Sequence, residues 1–165
     1  MTVPETPRTC GGCTACCTTH QVAEIGKEPG ITCTFAAAGT GCACYTGRPS
    51  GCVEFSCAWL KGYGTSGDRP DITSIVLDAG VPEGEGYENE NVLRMFEAKK
   101  GALESDFAIR EINHALTCGF IVVGIPLEGK WQVMIPEGTM PGPFIAKLVI
   151  ENEDDVELQV MRAVG

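Results

Sequence analysis

Cys10-Gly11-Gly12-Cys13-Thr14-Ala15-Cys16-Cys17 opens the stretch on which the rest of the chain depends. Cys33, Cys42, Cys44, Cys52 and Cys57 follow, so nine of the ten cysteines fall within 48 residues and only Cys118 stands apart. Such density means a metal site or a disulfide framework. Two residues between cysteines let a tight turn present both sulfurs to one ion, and Cys10, Cys13 and Cys16 repeat that spacing twice. The ferredoxin-type continuation, three residues and then Cys-Pro, is absent because Cys17 follows at once. Adjacent side chains diverge by about 100° in a helix and about 180° in a strand. Cys16 and Cys17 therefore favour two nearby sites, or one multinuclear cluster, over a single zinc.

Metal is favoured over disulfides by what accompanies the cysteines. Met1–Arg8 has no apolar core of the kind a secretory signal needs. The longest apolar run, Phe120–Ile125, is strand-sized and far too short to span a membrane. The expectation is a protein kept in the reducing cytoplasm, or assembled there into a particle, where clustered thiols more often bind metal. Thiolates are soft ligands suited to zinc and to iron–sulfur clusters. Disulfides remain the alternative for a secreted or virion-exposed protein.

Charge divides the chain. Residues 1–64 carry four basic and four acidic side chains, and residues 65–165 carry eight and eighteen, which accounts for the net charge of −10. No basic surface suits nucleic acid. A solvated acidic face is the plain reading of the excess.

The fold expected is α+β. Residues 1–64 form an irregular, metal-stapled cysteine-rich region, and residues 65–165 an α+β region with a small, mainly antiparallel sheet and two helices, the two packed as one compact body. Residues 1–9 read as an extended arm. A loop entering a helix near Cys13 continues over Gln21–Lys27, and Glu28-Pro29-Gly30 ends it. Residues 30–58 are turn-rich and bury little, so they need a staple, and metal binding can supply it. Further on, Ile72–Leu77 is a predicted strand, Glu90–Lys100 a helix capped by Asn89, and Ser105–Thr117 a second helix ending at Gly119. Phe120–Ile125 and Trp131–Ile135 are predicted strands. Phe144–Ile150 and Val156–Arg162 are predicted to pair as a hairpin, whose edge offers a place for a neighbour.

His20, four residues after Cys16, is in range to complete a site, although a lone histidine is more often a surface or supporting group. His114, mid-helix, reads as packing. Cys118, isolated at a helix end, reads as a small buried hydrophobe.

Beyond the spacing, the chain resembles a known family. The opening cysteines, Lys27…Gly30-Ile31-Thr32-Cys33, then Cys42-Ala43-Cys44-Tyr45-Thr46-Gly47-Arg48-Pro49-Ser50-Gly51-Cys52 and Cys57, are similar to the CxxCxxCC cysteine-cluster family. That family is described as zinc- or iron-chelating and includes a relative of flagellin lysine methylases. The resemblance covers residues 10–60. It implies eight metal ligands: Cys10, Cys13, Cys16, Cys17, Cys33, Cys42, Cys52 and Cys57. Cys44 stands where the family usually has an aliphatic residue and counts as an extra thiol. Tyr45 and Arg48 are implied to brace the cluster.

The leading expectation is a small, mainly structural metal-binding protein holding zinc or an iron–sulfur cluster through about eight cysteines. One alternative is a component of a larger assembly such as a virus particle, with protein partners and with the cysteines as staples. The other is a methylase-like enzyme with an iron–sulfur centre. Against the enzyme, no Gly-rich nucleotide loop follows a strand. Glu54 and Asp68 are carboxylates near the cluster, but acidic surface residues are common.

Overall fold

The computed structural model describes residues 7–162. Part of the predicted N-terminal arm, residues 1–6, lies outside them.

The cysteine region consists of short pieces: α1 (Cys16–Thr19), β1 (Ala36–Ala37), β2 (Gly41–Cys42) and α2 (Ser50–Glu54), joined by turns. The helix predicted to run on through Gln21–Lys27 stops at His20. Instead, a 3-10 turn at Ala23–Ile25 is closed by a bridge between Val22 and Lys27, with Gly26 left-handed at its end. The helical turn α3 (Pro70–Thr73) leads into the sheet.

The second region is built on five strands in the order of the chain: β3 (Ile75–Gly80), β4 (Val92–Glu97), β5 (Ile121–Ile125), β6 (Trp131–Pro136) and β7 (Val156–Met161). Helix α4 (Asp106–Thr117) crosses between β4 and β5, and α5 (Pro143–Glu151) between β6 and β7. Each crossover makes its two strands parallel, whereas β3 with β4 and β5 with β6 are antiparallel. The protein is therefore α+β, with a mixed sheet.

Three predicted elements are corrected. Glu90–Lys100 is not a helix but contains β4. Val92, Leu93 and Met95 are all buried, because both faces of this strand are covered. A strand buried on both sides loses its alternation and can mimic a helical stripe. Phe144–Ile150 is not a hairpin strand but lies in α5. Pro143 opens that helix, and the Glu90 carboxylate accepts from the Phe144 and Ile145 N–H groups. A short apolar run does not distinguish strand from buried helix, and here the capping decides. Finally, the strand expected at Ile72 starts at Ile75, after α3 and a left-handed Ser74.

Helix α4 follows the sequence closely. The Ser105 hydroxyl accepts from the Ala108 N–H at 3.2 Å, and Gly119 turns left-handed just past the end.

Strand alternation sorts the core. Leu77, Leu93, Met95, Val122 and Met134 face α4. Val92, Val123, Val133 and Ile135 face α5 through Ile145. Val76 and Phe96, on the same side as α5, instead meet Ala15, Cys57, Phe55 and Trp59. The cysteine region is thus a cap on one end of the sheet's α5 face. Within the cap, Arg8 ties the start of the region to its end by donating to the carbonyls of Trp59, Tyr63 and Gly64. Among the described residues, no helix is long and apolar enough to cross a membrane.

Candidate metal centre

Local turns aim the sulfurs inward. Cys10 and Cys13 sit on a turn closed by Cys13 N–H donating to Cys10 O at 2.8 Å. That turn lies directly against the β1–β2 hairpin. A Cβ on Gly12 would come within 2.5 Å of Gly39 O, and one on Gly41 within 2.4 Å of Gly11 O, so only glycine permits the approach. Cys16 and Cys17 open α1. Cys33 is pinned beside them by its N–H donating to Cys17 O at 2.9 Å. Cys42 ends β2. Cys52 is carried by α2, whose start is held by Glu24 accepting from the Ser50 hydroxyl and the Gly51 N–H. Cys57, buried, anchors the last turn on Val76.

All eight of these thiols line one cavity of about 130 Å³, together with Cys44, His20, Tyr45 and Arg48. A share of liquid volume for one water is about 30 Å³, so this space exceeds a single ion. All ten cysteines are free thiols. Among the described residues, no three Cys, His, Asp or Glu side chains are already drawn into the compact arrangement of a single-ion site. The fold collects the donors around a space rather than around a point.

The electrostatics of the cavity disfavour bare thiolates. Burial pushes the thiols of Cys10, Cys13 and Cys52 upward. At Cys10 it outweighs a hydrogen bond with Tyr45 and the charge of Arg48, both of which pull the other way. The neighbouring pair shares its protons unequally. Cys17 falls to about 7, first through the hydrogen bond from Cys16 and then through the charge of Lys27, while Cys16 is raised. Lys27 is itself buried and donates to the carbonyls of Thr18 and His20. A bound cation would reverse the upward shifts.

Arg48 lies 3.9 Å over the Tyr45 ring, and its Nε is buried with no hydrogen-bond partner. An orphaned donor at this cavity suits an electron-rich neighbour such as thiolate or sulfide sulfur.

His20 is not a surface group. It is packed between Phe55 and Phe96, with ring centroids 4.0 and 4.3 Å away, and its Nδ1 is 2.7 Å from the Thr19 hydroxyl. Burial lowers it to about 4, so it is a neutral imidazole at the cavity wall. Two other expectations fail. Cys118 is exposed rather than buried, and His114 is exposed beside it, its Nε2 3.9 Å from Cys118 Sγ. Both flank the apolar stripe of α4, which meets the sheet through Ala108, Ala115 and Leu116, at the rim of a pocket they share with Leu77 and Leu93. Asp68 is occupied in a capping turn with Thr65 and an ion pair with Arg110 at 2.9 Å.

The sequence marks Cys44 as an extra thiol and gives Lys27, part of the resemblance, no role of its own. The Cys42-Ala43-Cys44 spacing held the signal for the first, since alternate residues of an extended chain share a side. Nothing local announced Lys27, which is buried only because the chain doubles back at Gly26. Comparison with protein-family models, curated proteins and solved structures finds no match to this chain.

Proposed function

We propose that this chain is a small metal-binding protein that holds zinc or an iron–sulfur cluster through the eight cysteines Cys10, Cys13, Cys16, Cys17, Cys33, Cys42, Cys52 and Cys57, with a mainly structural role. The observation that carries this reading is that thiols from widely separated parts of the sequence line one cavity. The donor set is soft and matches zinc or iron–sulfur chemistry. The bound group supplies positive charge beside Cys10, Cys13 and Cys52, whose thiols burial pushes upward. The chain's own residues gather the donors, exclude bulk water through Phe55 and Trp59, and offer Arg48 Nε to a sulfur. A reducing compartment, the cytoplasm, suits such a centre.

Anaerobic purification followed by metal analysis and a visible spectrum tests the proposal. Bound zinc without colour, or iron with charge-transfer absorption, is the expected result. Protein that is metal-free when isolated and takes up neither metal on reconstitution sinks it.

A second reading, membership of a larger protein assembly, is favoured by β7. Among the described residues this strand pairs only with β6, and Leu158 and Val160 are exposed. Sizing the native species tests that reading, and a monomer counts against it.

A further inference from the structure

We propose that Cys44 is a metal ligand sharing one ion with Cys42, so that the centre draws on nine thiols rather than eight. This rests on the metal-binding reading above and sharpens its donor set.

Cys44 Sγ lies 3.5 Å from Cys42 Sγ. Two thiolates on one tetrahedral zinc, at about 2.3 Å each, are about 3.8 Å apart. The pair is therefore within a few tenths of an ångström of the separation one ion imposes. A disulfide, at about 2.0 Å, is much further from the observed geometry. Both cysteines are held by backbone that leaves the sulfurs little freedom to part. Cys42 pairs with Ala36 across the hairpin, the intervening Ala43 N–H donates to Phe35 O at 2.8 Å, and Gly47 N–H donates to Cys44 O at 2.9 Å. Ala43 points outward and is exposed, which leaves its two neighbours on the cavity side. Cys33 lines the same cavity as Cys44. Counting then changes what the centre can be. Eight unshared thiolates fill two four-coordinate ions. A ninth ligand requires either exchange with one of the eight or a cluster whose thiolates bridge.

The test is alkylation mapping of the full chain loaded with Zn²⁺, before and after a chelator, with each cysteine quantified by peptide mass spectrometry. Cys44 is expected to react at least about tenfold more slowly in the zinc-loaded protein than after chelation, alongside the other eight. Cys118, exposed and outside the cavity, should react in both states and serves as the internal reference. Cys44 alkylating at the rate of Cys118 while the eight are protected overturns this inference and leaves the metal-binding reading intact. Equal reactivity of all ten in both states overturns the inference and, with it, the zinc form of the metal-binding reading. A Cys44→Ser variant guards against simple shielding by the fold. Competition with a chromophoric chelator should find one Zn²⁺ equivalent held at least about tenfold more weakly. Unchanged affinity and stoichiometry overturn the inference even if Cys44 is protected.

Discussion

The cap and the sheet are held together by different physics. Among the described residues, 17 of the 21 buried hydrophobic side chains lie from Ile75 onward, and Ala15, Val22, Cys57 and Ala58 belong to the cap. The sheet side has strands of five or six residues and a twelve-residue helix, while the cap's longest regular element has five. Elements that short do not persist alone in water. The sheet is stabilised by apolar area removed from solvent. The cap has backbone turns and a ring of thiols around a cavity, and on the metal-binding proposal what the thiols bind supplies the rest of its order. On that proposal one chain contains a body held by its apolar core and a cap held by its ligand, meeting at Val76 and Phe96.

The largest expected effect is a clean separation of the two. Removing metal with a chelator under reducing conditions should bring the cap amides, Cys13 and Cys33 among them, to exchange rates near those of an unfolded chain. Amides of β5, in the middle of the sheet, should stay protected. Hydrogen exchange read by mass spectrometry checks this, and a cap equally protected with and without metal breaks the contrast. The converse is Ile145→Ala. Ile145 is fully buried and is the one buried residue of α5. Its truncation should cost about 2–5 kcal/mol in urea denaturation and leave bound metal per chain unchanged. Metal loss at native conditions in this variant would mean that the cap depends on the body more deeply than the packing at Val76 suggests.

The same contrast governs what the sequence made legible. Cysteine density marked the stretch and the family resemblance singled out eight thiols; those eight line the cavity, and Cys44 lines it with them. Helix α4 was legible because Ser105, apolar Ile112 and Leu116, and Gly119 agree, although Ile109, expected on the same stripe, is exposed. Strand β4 and helix α5 were not. Each is settled by partners distant in sequence: β4 by coverage on both faces, α5 by the Glu90 carboxylate 54 residues before Phe144. The acidic half was read as a solvated face, yet Glu90, Glu97 and Glu111 are buried acceptors. Glu97 takes the N–H groups of Leu103 and Leu127, and Glu111 takes the hydroxyl of Tyr63. Composition counts charges but cannot tell a surface carboxylate from one that organises a loop.

The junction itself should respond to acid through His20. Its folded value, about 4, lies below its ordinary 6.5 because burial between Phe55 and Phe96 disfavours the imidazolium. A depressed histidine contributes its stability fully above about pH 6.5. That contribution is lost as pH falls toward 4, since the unfolded chain takes up the proton first. The whole span amounts to about 3 kcal/mol. His20→Phe keeps an aromatic ring in the slot and removes the proton. The gap in stability between parent and variant should therefore move in the variant's favour by about that amount between pH 6.5 and 4. Parallel pH profiles for the two proteins would show that some other group carries the acid response.

The smallest effect concerns the body alone. Helix α5 begins at Gly142 without a side-chain cap of its own, so its first N–H groups need an outside acceptor. Glu90 provides it, at 2.6 Å from Phe144 N and 3.2 Å from Ile145 N, and the negative charge also suits the positive end of the helix. Glu90→Gln keeps the size and one acceptor but removes the charge, and should cost about 1–2 kcal/mol in urea denaturation. Gly142→Ala approaches the same contact from the other side, since the added Cβ would come within 2.4 Å of the Glu90 carboxyl carbon. The two substitutions act on one contact, so the double variant should lose less than the sum of the singles. Strict additivity would show that Glu90 and the start of α5 are stabilised separately, and that α5 owes its helical state to Pro143 and its own apolar face.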